Sequence, residues 1–437
     1  MPRPLRLALA LLPVLAARCG SAPPLPGAFY APENRSGPAR PGAILRSESL
    51  EGAPPGATAW KILYVSTGEN GEPIAVSGVV IAPDLPAPPT GRPVVAWAHP
   101  TTGIADRCAP SISRDFFETI PHLPELMALD YVVAATDYAG LGTPGPHPYL
   151  VGASEARAVL DIVRAAGDLP RTGAGPRFIA WGHSQGGHAA LFTGQLARGY
   201  APELALVGIA AIAPATELKE LFRDDLGERV GKVLAAYALW SWAETFGAPL
   251  SSVVSPSAIG GIERVARDCI ETTGEDYRVA FDSLEMGAGF ATAEAFSAEP
   301  WSRLLEENRP GGQRIGAPVY VAQGTEDSIV RPSVTRDFVR SLCAGGEIVR
   351  FEELPGAGHS RAARISATSA IQWMRDRFDG RTPPDTCRPA RISSSPSRFR
   401  SREASSPHGA GSSERREGPS SAERAPVSRR ASDPRPR

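Results

Sequence analysis

The sequence lacks any surplus of charge of one sign: 46 Lys+Arg stand against 47 Asp+Glu over 437 residues, a formal net charge of −1. That balance excludes a chain organised around nucleic acid, which leaves a basic footprint. Internal apolar runs are short as well, none reaching the roughly 18 residues of a membrane-spanning helix. There is no Cys-x-x-Cys pair and no His/Cys cluster at zinc-ligand spacing, so no metal is expected. Glycine and proline number 44 each but show no period, which excludes a collagen-like chain and points to loops or disordered segments. With 42 % hydrophobic residues the chain can still bury a large core.

The two ends differ from the middle. Arg3 and Arg6 precede an apolar run over residues 7–17 that Pro13 interrupts. A charged flank and a run too short to span a bilayer predict a cleaved secretory signal over residues 1–22, the plain alternative being a buried first helix. Cys19 gives the segment some likeness to a bacterial lipoprotein signal, although Arg18 stands where that pattern takes a small residue. Residues 388–437 hold 12 Arg, 5 acidic residues and much Ser and Pro, with almost nothing large and apolar beyond Ile392 and Phe399. Such a tail cannot bury enough surface to offset its ordering entropy, so disorder is expected there. It reads as a passive tail rather than a contact with anionic lipid or cell wall. Its surplus hides an acidic remainder with a net charge of about −8. Cys108, Cys269, Cys343 and Cys387 make an even number in an exported chain, so disulfides are expected, with three connectivities open.

Between the ends, apolar runs alternate with helical patterns. Residues 61–66 and 74–82 read as an opening antiparallel pair around the Gly68–Gly71 turn. Residues 93–98, 131–136, 177–181, 206–212, 318–322 and 347–351 read as short buried strands. Helices are expected over 154–166, with Ser154 as N-cap, and over 189–196, 333–342 and 363–378. This is an α/β chain with a mostly parallel sheet of about eight strands. Residues 215–315 are too long for a simple connection and look helical, over 216–222, 229–246, 259–270, 277–284 and 301–308. They predict a helical cap over the sheet, the alternative being a packing unit with no substrate role. The core is then 26–214 with 316–387.

The strongest chemical signal is Gly182-His183-Ser184-Gln185-Gly186, lying directly after one predicted strand and before a helical run. In that setting a Gly-x-Ser-x-Gly pattern forms a nucleophile elbow, its glycines leaving room for a turn that lifts the serine hydroxyl above the sheet. A base and an acid should follow in the order Asp or Glu, then His. Of the seven histidines, His99, His122, His147, His183, His188, His359 and His408, only the last two follow Ser184 at a distance, and His408 lies in the tail. His359, in the loop after the last strand, is therefore the base. Asp327 on the loop after 318–322 is the acid, with Glu326 as fallback. The oxyanion donors should be the Gln185 N–H and one from His99-Pro100-Thr101-Thr102-Gly103, where Pro100 has no N–H and leaves Thr101 or Thr102. His99 would brace that loop, and His183 and His188 would pack or orient the elbow.

Four motifs taken together, His99–Gly103, Cys108-Ala-Pro-Ser111, Asp137–Tyr149 and Gly182–Gly186, resemble the secretory lipases, α/β-hydrolases of the fungal lipase A type with bacterial relatives. The likeness covers about Pro26 to Cys387. It implies an α/β-hydrolase fold, ester hydrolysis on lipidic substrates, no cofactor, and a helical lid inserted after the sixth strand. It also implies bridges Cys108–Cys269 and Cys343–Cys387. The sequence departs from the family at Pro100 and in its tail. The reading is an exported or cell-envelope serine esterase or lipase meeting lipid esters, with peripheral contact at a lipid interface. Acyl transfer or peptide hydrolysis would use the same triad, and a lipid binder on a degenerate scaffold is the non-enzymatic rival. The apolar cap, with Trp240 and Trp242, is expected to hold the acyl chain.

Overall fold

A computed structural model describes residues 25–31, 40–225, 229–270 and 295–387, with isolated positions between 284 and 291. The signal segment with Cys19, the Arg/Ser/Pro tail with His408, and nearly all of the helix expected over 277–284 lie outside the described residues.

Nine strands form one sheet: β1 (Ile44–Leu50), β2 (Ala57–Thr67), β3 (Pro73–Pro83), β4 (Arg92–Ala98), β5 (Val132–Thr136), β6 (Ala174–His183), β7 (Ala205–Ile212), β8 (Val319–Gly324) and β9 (Val349–Leu354). Their order is β1-β2-β3-β5-β4-β6-β7-β8-β9. The β1-β2-β3-β5 pairs are antiparallel and the β5-β4-β6-β7-β8-β9 pairs parallel. About eight strands are expected from the sequence; the additional one is β1. It is an edge strand whose centre, Arg46-Ser47-Glu48-Ser49, is polar and has no apolar run to betray it. Backbone pairing and the Glu48–Lys61 ion pair at 2.6 Å hold it to β2. The long insertion consequently follows the seventh strand, at the same residues.

Helices cover both faces. α2 (Gly152–Asp168) and α3 (Gln185–Tyr200) pack on one, where Val159, Leu160, Val163 and Leu191 join the buried side chains of β4 and β6. α1 (Leu123–Ala128) and the last helix (His359–Phe378) pack on the other, around Trp97, Trp181, Ile371 and Met374. Ser154 is not the N-cap of α2. The helix begins at Gly152 after Val151, and Ser154 lies in its first turn. The orphan N–H of Gly152 finds its partner far away, donating to Oδ1 of Asn308 at 2.9 Å, and Leu150, just before the N-cap, donates to Oε1 of Glu155 at 3.1 Å. A cap donated from 156 residues away leaves no local sequence signature.

The insertion between β7 and β8 contains α4 (Leu218–Asp225), α5 (Arg229–Phe246), α6 (Ile259–Ala266) and α7 (Trp301–Glu307). It has its own apolar cluster, with Tyr237, Trp242, Ile262, Phe296 and Trp301 buried together. The Cys108–Cys269 disulfide, with Cα atoms 5.4 Å apart, and the Ile270 N–H to Thr102 carbonyl bond at 3.0 Å fasten it to the loop after β4. Cys343 near the end of α8 (Pro332–Ala344) is bonded to Cys387.

Candidate active site

Chain geometry at the end of β6 dictates where Ser184 goes. The strand runs straight into α3, and Ser184 between them has φ 56° and ψ −117°. This left-handed backbone is strained for a residue with a Cβ and marks a tight turn. Its neighbours cannot carry side chains. A Cβ at Gly182 would stand 2.0 Å from the Gly186 carbonyl oxygen, and one at Gly186 only 1.8 Å from that of Ala98. The turn is held by the Ser184 N–H donating to Ile212 at 2.9 Å.

A helix start and a loop from later in the chain complete the series. Nε2 of His359 lies 2.8 Å from Oγ of Ser184, and Nδ1 of His359 lies 2.8 Å from Oδ2 of Asp327. His359 is not in a loop, as the sequence led us to expect, but is the first residue of the last helix, α9 (His359–Phe378). Asp327 is held from behind: Oδ1 accepts the N–H groups of Ile329 and Val330 at 2.9 Å each, and Oδ2 the Gln323 amide at 2.9 Å. Burial pushes the Asp327 carboxyl up. His359, the Val330 N–H and the Gln323 amide outweigh it, and the pKa lies below the usual carboxylate value. Glu326 is exposed and has no contact with the imidazole, so of the adjacent carboxylates Asp327 alone meets His359.

Ser184 and His359 open on a cleft of about 500 Å³. Val230, Val233, Leu234, Ile270 and Ile329 make its walls aliphatic, and the first four belong to the insertion. Thr101 lines the cleft and its hydroxyl meets that of Tyr149 at 2.8 Å. Thr102 turns away: its hydroxyl donates to the Cys108 carbonyl at 2.8 Å and its own carbonyl accepts from Ile270. Gln185, first residue of α3, presents its backbone N–H at the helix N-terminus.

A family model for secretory lipases matches residues 119–386. The chain belongs to the secretory lipase family. It is 26 % identical over 371 residues to a Mycobacterium tuberculosis (strain CDC 1551 / Oshkosh) protein designated "Probable inactive lipase MT1628", covering 81 % of this chain and 82 % of that one. It is 25 % identical over 390 residues to "Secreted triacylglycerol lipase LIP7" of Malassezia globosa, covering 82 % and 80 %. The closed-state structure of Candida antarctica lipase A superposes with a TM-score of 0.67 at 19 % identity, covering 83 % of this chain and 88 % of that one. The fold is that of the α/β-hydrolases.

The remaining histidines among the described residues are engaged in other contacts. Burial pushes His99 down to about 4; its neutral ring can donate to only one of the Pro100 and Asp137 carbonyls that face its nitrogens at 2.6 and 3.3 Å, and it packs 4.4 Å from the ring of Tyr138. Burial also pushes His147 and His183 down to about 3 each. Nδ1–H of His147 donates to the Ala139 carbonyl at 2.8 Å. His188 contacts Glu155 and Asn308, and His122 contacts Glu125 at the surface.

One expectation is corrected. Neither Trp240 nor Trp242 lines the cleft. Trp242 is buried, stacks on Trp301 and donates its indole N–H to the Tyr149 carbonyl at 2.8 Å. Trp240 borders a separate cavity of about 400 Å³ beside Pro144 and His147. An aromatic stripe is core here, and aliphatic residues of the same helix face Ser184. Gln323 and Glu155 support the site with no sequence signal of their own, and Tyr149, the last residue of the Asp137–Tyr149 motif, meets the Thr101 hydroxyl. Glu155 meets Gln185 and His188 from 30 and 33 residues away, and Gln323, four residues before Asp327, belongs to no motif, so spacing marks neither. Among the described residues no cluster of three or more His, Cys, Asp or Glu is placed to hold a metal.

Proposed function

We propose that the protein is an exported serine esterase or lipase that hydrolyses carboxylic esters of lipidic acyl chains through an acyl-enzyme on Ser184. The observation that carries this is the unbroken Ser184–His359–Asp327 series, each link 2.8 Å. In it the Ser184 hydroxyl passes its proton to Nε2 of His359 as Oγ attacks the ester carbonyl. Asp327 holds the Nδ1–H tautomer and stabilises the imidazolium. The backbone N–H groups of Gln185 and Thr101 hold the oxyanion, Thr101 rather than Thr102 because it lines the cleft. His359 then protonates the departing alcohol, and water attacks the acyl-enzyme by the same route in reverse, releasing the acid.

Aliphatic cleft walls support acyl chains of medium length or longer as the bound group. Two disulfides and the likeness to a protein named a secreted lipase support export. Residues 215–315 act as the cap in this reading, supplying most of the apolar wall.

The inactive designation of one relative makes a non-catalytic lipid binder the rival to test. A fluorophosphonate probe, with the modified residue located by mass spectrometry, separates the two. The enzyme should label at Ser184 and lose labelling in His359→Ala. Folded wild-type protein that neither labels nor turns over p-nitrophenyl esters, even with detergent micelles present, would establish the binder instead.

A further inference from the structure

Two carboxylate–imidazole pairs flank the elbow, and only one of them faces the nucleophile. The second joins Glu155, in the first turn of α2, to His188, four residues beyond Ser184 on α3; their exposures are 1 % and 0 %. Nδ1 of His188 lies 2.7 Å from Oε2 of Glu155, much as His359 faces Asp327. Its Nε2, however, lies 2.8 Å from the backbone carbonyl of Asn308 at the end of α7. A carbonyl only accepts, so Nε2 carries a hydrogen and cannot serve as a base. A hydrogen between Nδ1 and Oε2 then satisfies both ring nitrogens. None of these groups lines the cleft.

The free oxygen of Glu155 shows what the pair holds. Oε1 accepts the Leu150 N–H at 3.1 Å and the side-chain amide of Gln185 at 2.9 Å. The other amide hydrogen of Gln185 goes to Nε2 of His147 at 3.1 Å. That nitrogen is free to accept, because the ring donates to the Ala139 carbonyl from Nδ1. Gln185 is thereby gripped at two points by buried groups, and it is the residue whose backbone N–H the proposed mechanism aims at the oxyanion.

We propose that Glu155, clamped by His188 and through it by the end of the insertion, is a positioning residue of the oxyanion hole that acts through the Gln185 side chain. The inference rests on the hydrolase reading above. An oxyanion donor works by being oriented before charge develops, so freeing it weakens the transition state and leaves substrate binding nearly untouched.

The test is steady-state hydrolysis of p-nitrophenyl butyrate by Gln185→Leu, Glu155→Ala, the double variant and Glu155→Gln, each checked for folding by near-UV circular dichroism. Gln185→Leu keeps the backbone donor and loses its tether. It should lower kcat by about ten- to a hundredfold, less than the ~10²–10³ of a donor lost outright, with KM within about twofold. Glu155→Ala should do the same, and the double variant should lose no more than the worse single. Glu155→Gln can accept from Gln185 and Leu150 while donating to Nδ1 of His188. It should stay within about threefold of wild type. Multiplying losses in the double variant, or wild-type kcat in Gln185→Leu, would overturn the proposal. If Glu155→Ala does not fold, Gln185→Leu and Glu155→Gln decide alone. Wild-type protein without turnover removes the hydrolase reading and this inference together, whereas active wild type with unaffected Gln185→Leu removes this inference only.

Discussion

Nε2–H of His183 donates to the backbone carbonyl of His359 at 3.0 Å, and the two rings lie 4.8 Å apart. The residue before Ser184 therefore grips the residue proposed to activate it. In His183→Phe the ring packing survives and the hydrogen bond is lost. One neutral hydrogen bond is worth about 1 kcal/mol, so kcat should fall roughly fivefold. KM should hold, and esterase kinetics at a fixed alkaline pH check both.

Acid should destabilise the protein well above the carboxylate range. His99, His147 and His183 are held neutral by burial, near 4, 3 and 3. Below the unfolded value of 6.5 the unfolded chain takes up protons that the folded one refuses, so stability rises with pH between about 4 and 6.5. Each histidine contributes up to about 1.4 kcal/mol per pH unit in that window. Asp137, which burial raises to about 6, acts in the opposite sense, as do Asp161 and Glu69, which burial also raises. Urea unfolding near pH 5 and near pH 6.5 should show the higher stability at the higher pH. His183→Phe should flatten the slope by about one histidine's share. A stability that falls over this interval would contradict the histidine contribution.

The two disulfides should separate in function. Each should contribute about 2–4 kcal/mol to stability. Only Cys108–Cys269 connects the Thr101 loop to the insertion, so Cys108→Ser with Cys269→Ser should also lower kcat/KM for esters. Removing Cys343–Cys387 should lower the melting temperature and leave the kinetics near wild type. Calorimetry and kinetics on the two double variants test this, and equal kinetic losses would contradict it.

Acyl-chain preference should reside in the aliphatic wall and not in the indoles. Leu234→Ala should lower kcat/KM for an octanoate ester by about tenfold and leave acetate within about twofold. Trp240→Ala, at the other cavity, should leave the octanoate-to-acetate ratio unchanged. Chain-length profiling with p-nitrophenyl esters gives both ratios.

Ser184 was legible in the sequence because everything that makes an elbow is contiguous: a strand, glycines on either side of the serine, and a helix. The α/β alternation was legible for the same reason, since buried parallel strands advertise themselves as apolar runs. His359 followed by elimination among seven histidines. What spacing could not decide were choices between neighbours and contacts at long range. Asp327 and Glu326, or Thr101 and Thr102, differ by one residue, and it is the folded loops that bring Asp327 to His359 and Thr101 to the cleft. β1 is a polar edge strand defined by its partner β2, and the start of α2 is capped by Asn308 from the insertion. The apolar stripe of α5 does not say which of its faces meets the substrate. In three dimensions Trp242 turns into the core while Val230, Val233 and Leu234 line the cleft on which Ser184 opens. Local chemistry is written along the chain; direction and partnership arise only when distant segments pack.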